Sequence, residues 1–523
     1  MDSFLSQPIT IVLAILSVLL YNIWKIRKPS NKFQKGMKLP QLSFALPLIG
    51  HLHLLGNQIP LAKTFASFAD KYGPIFQIRL GAYPTLVISN KEAIKECFTT
   101  NDKILASRTK STHGILLGYN HASFACAPYG RFWAKIRKVT MLELLSSRRV
   151  ESLRHVYESE IDTLVKDLSL YVKVGKVEVV ISEWMERLTF NIITKMICGK
   201  RYFEYLQDVD DVEANGNIVK LIKEVMHISG ELVPKDVIPI LGWFGFEGEV
   251  LKSMKRVSRD LDEVVGKWVE EHIEKSDDGV NNSNEKQDLI DVMLSVIEDD
   301  PDSGNDRDTI IKANIVNLMI AGSDTTSTTM TWILVLLLNN MNALKRAQEE
   351  IDQHIGRDRK IESSDIKNLV YLQAIVKETL RLHPTLPLSI PHEATEDCNI
   401  QGYYVPKGTR LFTNVWKLHR DPSIWLEPEK FSPERFINEN GEIDHESHQF
   451  EYLPFGLGRR ACPGSMFATQ VIHIAVARLI HLFDFEVPIN EVVDMKQGTG
   501  LILSKFTPLK VLLTPRLPYE LYQ

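Results

Sequence analysis

Hydrophobic and polar positions along the chain predict a mainly helical protein with small sheets at its edge. Alternating apolar residues predict strands at 75–80 and 85–89, with Gly81 and Pro84 in the turn between them. From 92 to about 293, apolar residues recur at the spacing of amphipathic helices. These patterns give a mainly α fold class with small peripheral β-sheets.

The second half of the chain continues the helical pattern and then becomes irregular. Helices are predicted at 309–338, 342–355 and 369–382, whereas the stretch from Pro384 onward is rich in proline and glycine. We see no internal repeat and no break in composition, so we expect one large domain. Polar, largely acidic runs interrupt the pattern and are predicted to be solvated loops at 207–216, 276–285 and 298–308.

The N-terminal segment has the pattern of a membrane anchor. Residues 5–24 are mostly apolar, and a helix of that length spans roughly 30 Å, the thickness of a bilayer core. Basic residues follow this segment and none precedes it, which places the rest of the chain in the cytosol. A cleaved secretory signal would need the reverse order of charges. We therefore expect an uncleaved anchor at 1–24, a basic, proline-containing linker at 25–50 and a catalytic domain at 51–523.

Composition excludes several classes of protein. The chain has 523 residues, of which 44% are hydrophobic and 24% charged, so it is neither disordered nor of low complexity. Its net charge of −5 argues against a general nucleic-acid binder. The 5 cysteines are scattered and form no Cys-x-x-Cys pair, which excludes a zinc ribbon and fits a reducing compartment.

One cysteine lies in a sequence suited to a thiolate. Cys462 follows a glycine-rich segment with Arg459 and Arg460, and an apolar helix is predicted over 466–482. Glycines let backbone N–H groups turn toward the sulfur, and a helix N-terminus favours negative charge. A metal-bound thiolate and a reactive thiolate both fit this pattern.

The same segment resembles the haem-binding signature of the cytochrome P450 family. Its fixed positions, Phe-x-x-Gly-x-Arg-x-Cys-x-Gly, are matched at Phe455, Gly458, Arg460, Cys462 and Gly464. The resemblance implies haem b as cofactor, with Cys462 as the axial ligand of its iron and Phe455 and Arg460 near it. It extends from the anchor to the C-terminus, and the order of the signatures resembles that of plant A-type microsomal enzymes.

The predicted helix at 309–338 carries a second signature of that family. Ala321-Gly-Ser-Asp-Thr-Thr326 resembles its oxygen-activation segment. Read without the family, this segment is equally a polar kink or a helix packing seam. The resemblance implies that Thr325 and Asp324 deliver protons during catalysis and that Gly322 leaves room over the haem.

Two further signatures imply a buried ion-pair network and contacts to the haem propionates. Glu378-Thr-Leu-Arg381 and the later Arg435 match the family's Glu-x-x-Arg…Arg set. Alone, such an i,i+3 pair is usually on a helix surface. The resemblance also implies that the propionates are contacted by Trp133, Arg137 and Arg460, and by His392, which occupies a position where many relatives have arginine.

The substrate is less well defined than the chemistry. The chain resembles the plant subgroup of flavone 6- and 8-hydroxylases and protopine-type alkaloid hydroxylases. Residues 107–128 contain no aspartate or glutamate, which favours a phenolic flavone over a cationic alkaloid. Alkaloid or terpenoid hydroxylation or demethylation is the alternative. The apolar substrate pocket is predicted from Ile115, Leu116, Leu117, Phe124, Leu318, Leu388, Ile390 and Leu501.

The resemblance also implies partners and a location. Electrons would come from NADPH through the FAD and FMN of a membrane-bound cytochrome P450 reductase, because this chain carries no dinucleotide fingerprint of its own. The expected location is the endoplasmic reticulum membrane, with a single span and no nucleic-acid partner. A reductase-independent hydroperoxide-rearranging enzyme and a haem-binding scaffold are the other classes considered.

Overall fold

The computed structural model describes residues 36–523 apart from 57–58, 174–176, most of 205–230, 246, 278–286, 302, 445–447 and 489–492. Of the first 35 residues it describes only Val18 and Tyr21, so the predicted anchor and most of the linker lie outside the described residues. Within them, Ser465–Leu482 is long and apolar enough to cross a membrane, but this helix is mostly buried in the protein core.

Helices form most of the described chain, as predicted. In chain order, α1–α17 are Leu61–Tyr72, Lys91–Phe98, Asp102–Leu105, Thr112–Leu116, Arg131–Val139, Ser147–Ser152, Arg154–Val172, Ile181–Cys198, Pro234–Val237, Pro239–Trp243, Glu249–Asp277, Leu289–Val296, Arg307–Asn339, Met341–His354, Val370–Leu382, Val415–Leu418 and Ser465–Leu482.

In the described part of the chain, three small sheets lie beside the helices. The strands β1–β10 are Ile75–Leu80, Tyr83–Ile88, Ser107–Arg108, Glu178–Val180, His392–Glu393, Cys398–Ile400, Tyr403–Val405, Arg410–Thr413, Phe483–Glu486 and Lys510–Pro515. They form a five-stranded sheet β1-β2-β8-β5-β3, a three-stranded sheet β4-β10-β9 and the hairpin β6-β7. The predicted hairpin at 75–89 is confirmed as the antiparallel pair β1 and β2, whose second strand begins two residues earlier than predicted.

The long helix α13 forms the centre of the main core. The Asp306 side chain caps its N-terminus by accepting a hydrogen bond from the Thr309 amide at 2.7 Å. Its C-terminal segment from Met330 to Leu337 is buried and apolar except for Thr331, and the helix packs against α8, α15 and α17. The predicted helices at 309–338, 342–355, 369–382 and 466–482 are confirmed to within about two residues.

Gly322 lies at the contact between α13 and α8. A Cβ atom built on Gly322 would lie 2.5 Å from Cδ1 of Ile193 in α8, so the missing side chain makes room for the neighbouring helix. This packing role was not expected from the sequence. The expectation that Gly322 also leaves room over the haem stays a prediction.

We expect Gly322→Ala to destabilise the chain by about 1–2 kcal/mol, because the added methyl overpacks the contact by more than the gain in helix propensity. In an Ile193→Val background, which lacks Cδ1, the same substitution should be neutral or stabilising. Thermal or denaturant unfolding of the four proteins in this cycle measures the coupling. Equal effects of Gly322→Ala in both backgrounds would contradict this packing account.

Candidate active site

Cys462 lies in a tight loop before α17. Gly456 and Gly458 have φ of 69° and 70°, a conformation that favours glycine, and the Cys462 amide donates to the Phe455 carbonyl at 2.9 Å. The thiol is exposed, yet burial among protein atoms raises its pKa. The sulfur therefore faces an interior space rather than the outer surface.

Several groups favour negative charge on this sulfur. The Gly464 amide donates to it and lowers its pKa, as does the charge of Arg137. The Arg137 guanidinium also donates to the Ala461 carbonyl, next to the cysteine. The predicted turn of backbone N–H groups toward the sulfur is thus present at Gly464.

An ion pair fixes the loop on its outer side. Arg459 Nε lies 3.2 Å from Asp102 Oδ2, and the Arg459 amide donates to Oδ1 of the same carboxylate at 3.2 Å. A side chain at Gly458 would collide with that carboxylate, since its Cβ would lie 2.4 Å from Oδ1. Glycine at this position thus lets Asp102 approach the loop.

Three arginines converge beside the loop. Arg108 and His392 are paired across β3 and β5, so two distant segments bring them together. Burial and the charges of Arg108 and Arg137 lower the pKa of Arg460. Burial and Arg137 likewise lower that of Arg108. We call Arg108, Arg137 and Arg460 the arginine cluster.

Main-chain carbonyls position the Arg460 guanidinium. It donates to the carbonyl oxygens of Ala106, Phe124 and Ala127 at 2.7, 3.1 and 2.6 Å. Its guanidinium carbon lies 4.4 Å from the ring centre of Trp133, a cation–π contact. The Trp133 indole N–H donates to the Phe124 carbonyl at 3.1 Å, so its only donor is already used. Trp133 therefore supports Arg460 here, and its contact to a propionate stays a prediction.

The arginine cluster has no carboxylate partner in the described part of the chain. Arg108, Arg137 and Arg460 make no ion pair there, and the interactions that shift the pKa of Arg108 and Arg137 include no carboxylate. Arginine keeps its charge even in such surroundings. A partly buried positive charge without compensation is unfavourable, so the cluster favours an anionic ligand.

His392 is neutral in this arrangement. It is buried, and its Nδ1 lies 2.7 Å from the Leu105 carbonyl, which requires the proton on Nδ1. Burial and the charges of Arg108 and Arg460 lower its pKa well below the usual value. Its Nε2 therefore carries a lone pair and would have to gain a proton before donating to a carboxylate. The predicted propionate contact of His392 stays a prediction.

The central turns of α13 carry the polar groups predicted to handle protons. Thr325 Oγ1 donates to the Ala321 carbonyl at 2.7 Å, and Ala321 is exposed although it lies on the core helix. Burial and the charge of Glu186 raise the pKa of Asp324 to about 6. Glu186 is exposed and lies on α8, two helical turns before Ile193 on the same face. Within the described residues, the Asp324 carboxylate makes no hydrogen bond or ion pair.

The predicted ion-pair network is confirmed as a buried one. Glu378 and Arg381 are fully buried, and two hydrogen bonds of 2.7 and 2.8 Å join them. Arg435 adds a bond of 3.0 Å to Glu378 Oε1. Arg381 also donates to the carbonyls of His419 and Pro428, each at 2.7 Å. The network thus connects α15 to the segments that lead to the Cys462 loop.

Comparison with known proteins identifies the family. Residues 40–513 match the family model described as Cytochrome P450. The chain belongs to the cytochrome P450 family. It is 45% identical to a nicotine N-demethylase of Nicotiana tomentosiformis, over 98% of each chain. It is also 45% identical to a xanthotoxin 5-hydroxylase of Arabidopsis thaliana over the full length of both, and 43% identical to a vinorine hydroxylase of Rauvolfia serpentina over 99% of each.

Solved structures agree with the family assignment. A zebra fish cytochrome P450 with progesterone superposes with a TM-score of 0.73 at 25% identity, covering 88% of this chain and all of the other. The P450 fold and the monooxygenase class predicted from the sequence are therefore confirmed.

The cofactor of this P450 is haem, and the residues around the Cys462 loop fit this group. Haem carries two carboxylates, and the arginine cluster offers uncompensated positive charge beside the Cys462 loop. The donor set also fits, because the Cys462 thiol faces an interior space and would supply a soft sulfur ligand to the haem iron. Phe455 is part-buried against the main core, and its carbonyl accepts the Cys462 amide.

Sequence reasoning missed three residues of this site. Arg108 and Glu186 lie outside the signatures described above. His419 also lies outside them, although it contacts the Glu378–Arg381 network. The pairing of β3 with β5 could not be read from two-residue strands.

The raised pKa of Asp324 predicts a trade-off between stability and proton transfer. The folded chain binds the Asp324 proton more tightly than the unfolded chain does. The contribution of this proton to the free energy of unfolding is therefore full below about pH 3.8 and is lost as the pH rises through about 6. Asp324→Asn should therefore stabilise the enzyme at about pH 8 by about 1–3 kcal/mol and by less at about pH 5.

Thermal unfolding of the full chain at both pH values measures this effect, with the exposed Asp308→Asn in the same helix as control. Glu186→Gln should lower the pKa of Asp324, which an infrared titration of the carboxyl groups detects. An unchanged Asp324 titration in Glu186→Gln would contradict the electrostatic account.

Proposed function

We propose that this P450 is a membrane-anchored monooxygenase that adds one oxygen atom to a small, ring-containing plant metabolite. The observation that carries the cofactor assignment is the uncompensated arginine cluster beside the Cys462 thiol. In this proposal Cys462 ligates the haem iron, and Arg108, Arg137 and Arg460 hold the propionates. The bound haem activates oxygen, which is the chemistry that the protein residues do not supply.

The polar residues of α13 are proposed to supply protons. Asp324 has a pKa of about 6, close to neutral, so it exchanges protons readily at physiological pH. Thr325 Oγ1 donates to the Ala321 carbonyl, which leaves its lone pairs free to accept a proton. To pass a proton on, the hydroxyl would turn away from the Ala321 carbonyl, donate its own proton and accept another in its place, so that it stays neutral.

Electrons are proposed to come from NADPH through cytochrome P450 reductase. Arg131, Lys135 and Lys138 lie at i, i+4 and i+7 on one face of α5 and are exposed. None of the three makes an ion pair with a described residue. A positive stripe of this kind suits an acidic partner. Together with the predicted anchor, it supports the endoplasmic reticulum membrane as the location.

The preference for a flavone loses its main support. It depended on the absence of acidic residues in 107–128, but two carboxylates from other segments reach this stretch. Asp236 accepts from the amide and hydroxyl of Thr112 at 2.8 and 2.6 Å, and Asp262 interacts with the Tyr119 hydroxyl. Residues 107–128 are thus not free of nearby negative charge.

The names of the relatives support a nitrogen heterocycle or a furanocoumarin as the first substrate to test. They are a nicotine demethylase, a xanthotoxin hydroxylase and a vinorine hydroxylase. A flavone remains the second candidate. Of the predicted pocket residues, Ile115, Ile390 and Leu501 are exposed, whereas Leu117, Phe124, Leu318 and Leu388 are buried. We propose that the three exposed residues contact the substrate.

The test uses microsomes that contain the full chain and a plant reductase. NADPH is supplied with nicotine, xanthotoxin, vinorine and apigenin, and products are sought by mass spectrometry. We expect an NADPH-dependent product with one added oxygen or one lost methyl group from an alkaloid or the coumarin, and none with Cys462→Ala.

Two outcomes would overturn parts of the proposal. Product from apigenin alone would overturn the substrate order but leave the monooxygenase intact. A thiolate-type carbon monoxide spectrum in Cys462→Ala would overturn the assignment of the axial ligand.

Charge reversal of Lys135 and Lys138 should slow turnover with reductase several-fold but leave peroxide-supported turnover unchanged, and equal slowing of both would exclude this docking face.

A further inference from the structure

His419 connects the buried ion-pair network to the Cys462 loop. It is fully buried at the end of α16. Arg381 donates from its side chain to the His419 carbonyl at 2.7 Å, and His419 Nδ1 lies 3.1 Å from the Arg381 carbonyl. Each residue thus binds the main chain of the other with its side chain.

The other ring nitrogen reaches the approach to the loop. The amide of Leu453 donates to His419 Nε2 at 2.8 Å. The Leu453 carbonyl accepts from Gly456, where the chain turns, and the carbonyl of Phe455 accepts from Cys462. Leu453 is therefore the last fixed backbone position before the turn that carries the cysteine.

These contacts determine the tautomer of the imidazole. An amide N–H can only donate, so Nε2 has to present a lone pair, and a carbonyl can only accept, so Nδ1 has to carry the proton. Burial and the charge of Arg381 lower the pKa of His419 to about 3, which keeps the ring neutral. A charged ring would place two donors opposite each other at Leu453.

We propose that His419 is a positioning residue that transmits the position of Arg381 to the Leu453 amide and so keeps the Cys462 sulfur in place to ligate iron. This inference rests on the proposed role of Cys462. Glutamine could replace the ring in part, because its amide both donates and accepts. Leucine fills a similar volume but does neither.

His481 offers a matched control. It is fully buried too, but its Nε2 lies 2.9 Å from the Gly356 carbonyl near the far end of α17, so that nitrogen carries the proton. The two histidines are therefore expected to show opposite tautomers. His481→Leu removes a buried ring of the same size, roughly 25 Å along the helix from the cysteine loop.

The first measurement is made on the wild-type protein, and a variant serves only to assign the signal. Nitrogen-15 spectra of histidine-labelled wild-type holoenzyme should show His419 neutral with the proton on Nδ1 and His481 neutral with the proton on Nε2. The His419 signal is identified by its loss in His419→Gln. A charged His419, or a proton on its Nε2, would overturn the proposal.

The second measurement compares variants. In His419→Leu we expect the exchange rate of the Leu453 amide to rise on the order of tenfold, which is the effect of losing one buried hydrogen bond. We also expect the thiolate-free band of the carbon monoxide spectrum to grow at the expense of the thiolate band. His419→Gln should restore both toward wild type, and His481→Leu should change neither.

Equal loss of the thiolate band in His419→Leu and His481→Leu would overturn the proposal, since general destabilisation would then explain both. Wild-type exchange of Leu453 in His419→Leu would overturn it as well. Failure of the Cys462 assignment is distinguishable from either, because the thiolate band would then persist in Cys462→Ala.

Discussion

The position of the Cys462 loop depends on a carboxylate and a guanidinium that are buried together. Glu378 and Arg381 are removed from water at a cost of several kcal/mol each, and their mutual bonds alone only offset that cost. Their remaining capacity is used on backbone groups, for Glu378 accepts from the Ser432 amide at 2.9 Å and Arg381 donates to two carbonyls. A pair that satisfies the irregular chain around it fixes that chain more firmly than apolar packing could.

The arginine cluster follows the opposite rule. Arg108, Arg137 and Arg460 are also desolvated, but their partners are carbonyl dipoles, which satisfy donors without cancelling charge. The compensated charge thus lies in the buried ion-pair network, and the uncompensated charge lies where the haem propionates are proposed to bind. Haem propionates bound at the cluster would compensate its charge, so that binding of the cofactor would stabilise the folded state. This division explains why both sites are arginine-rich although only one contains an acid.

The sequence allowed most of the architecture to be predicted, because long amphipathic helices and a local hairpin are determined by short-range pattern. Signature residues such as Cys462 and Glu378 were also identified, because the signatures of the family have fixed spacings. Arg108 escaped because it acts through β3 and β5, strands of two residues from distant parts of the chain. The packing of Ile193 against Gly322 could not be predicted, because the sequence shows that a side chain is absent but not which neighbour fills the space. Asp236, which accepts from Thr112, shows the same limit. Residues 107–128 contain no acidic side chain, but a carboxylate from another part of the chain contacts them.

The central turns of α13 contain three residues that lower the local stability of the helix. Asp324 is an unpartnered acid in a largely desolvated position, Thr326 Oγ1 is buried without a hydrogen-bond partner among the described residues, and Gly322 has poor helix propensity. Each is locally unfavourable, and all three fall within residues 322–326 of α13. Further along, the same helix becomes a continuous apolar part of the core. That apolar part, together with the contact to α8, keeps the helix intact across a segment that would otherwise weaken it. Stability and the proposed proton transfer are therefore assigned to different parts of one helix, which allows polar groups to be placed near the centre of the molecule.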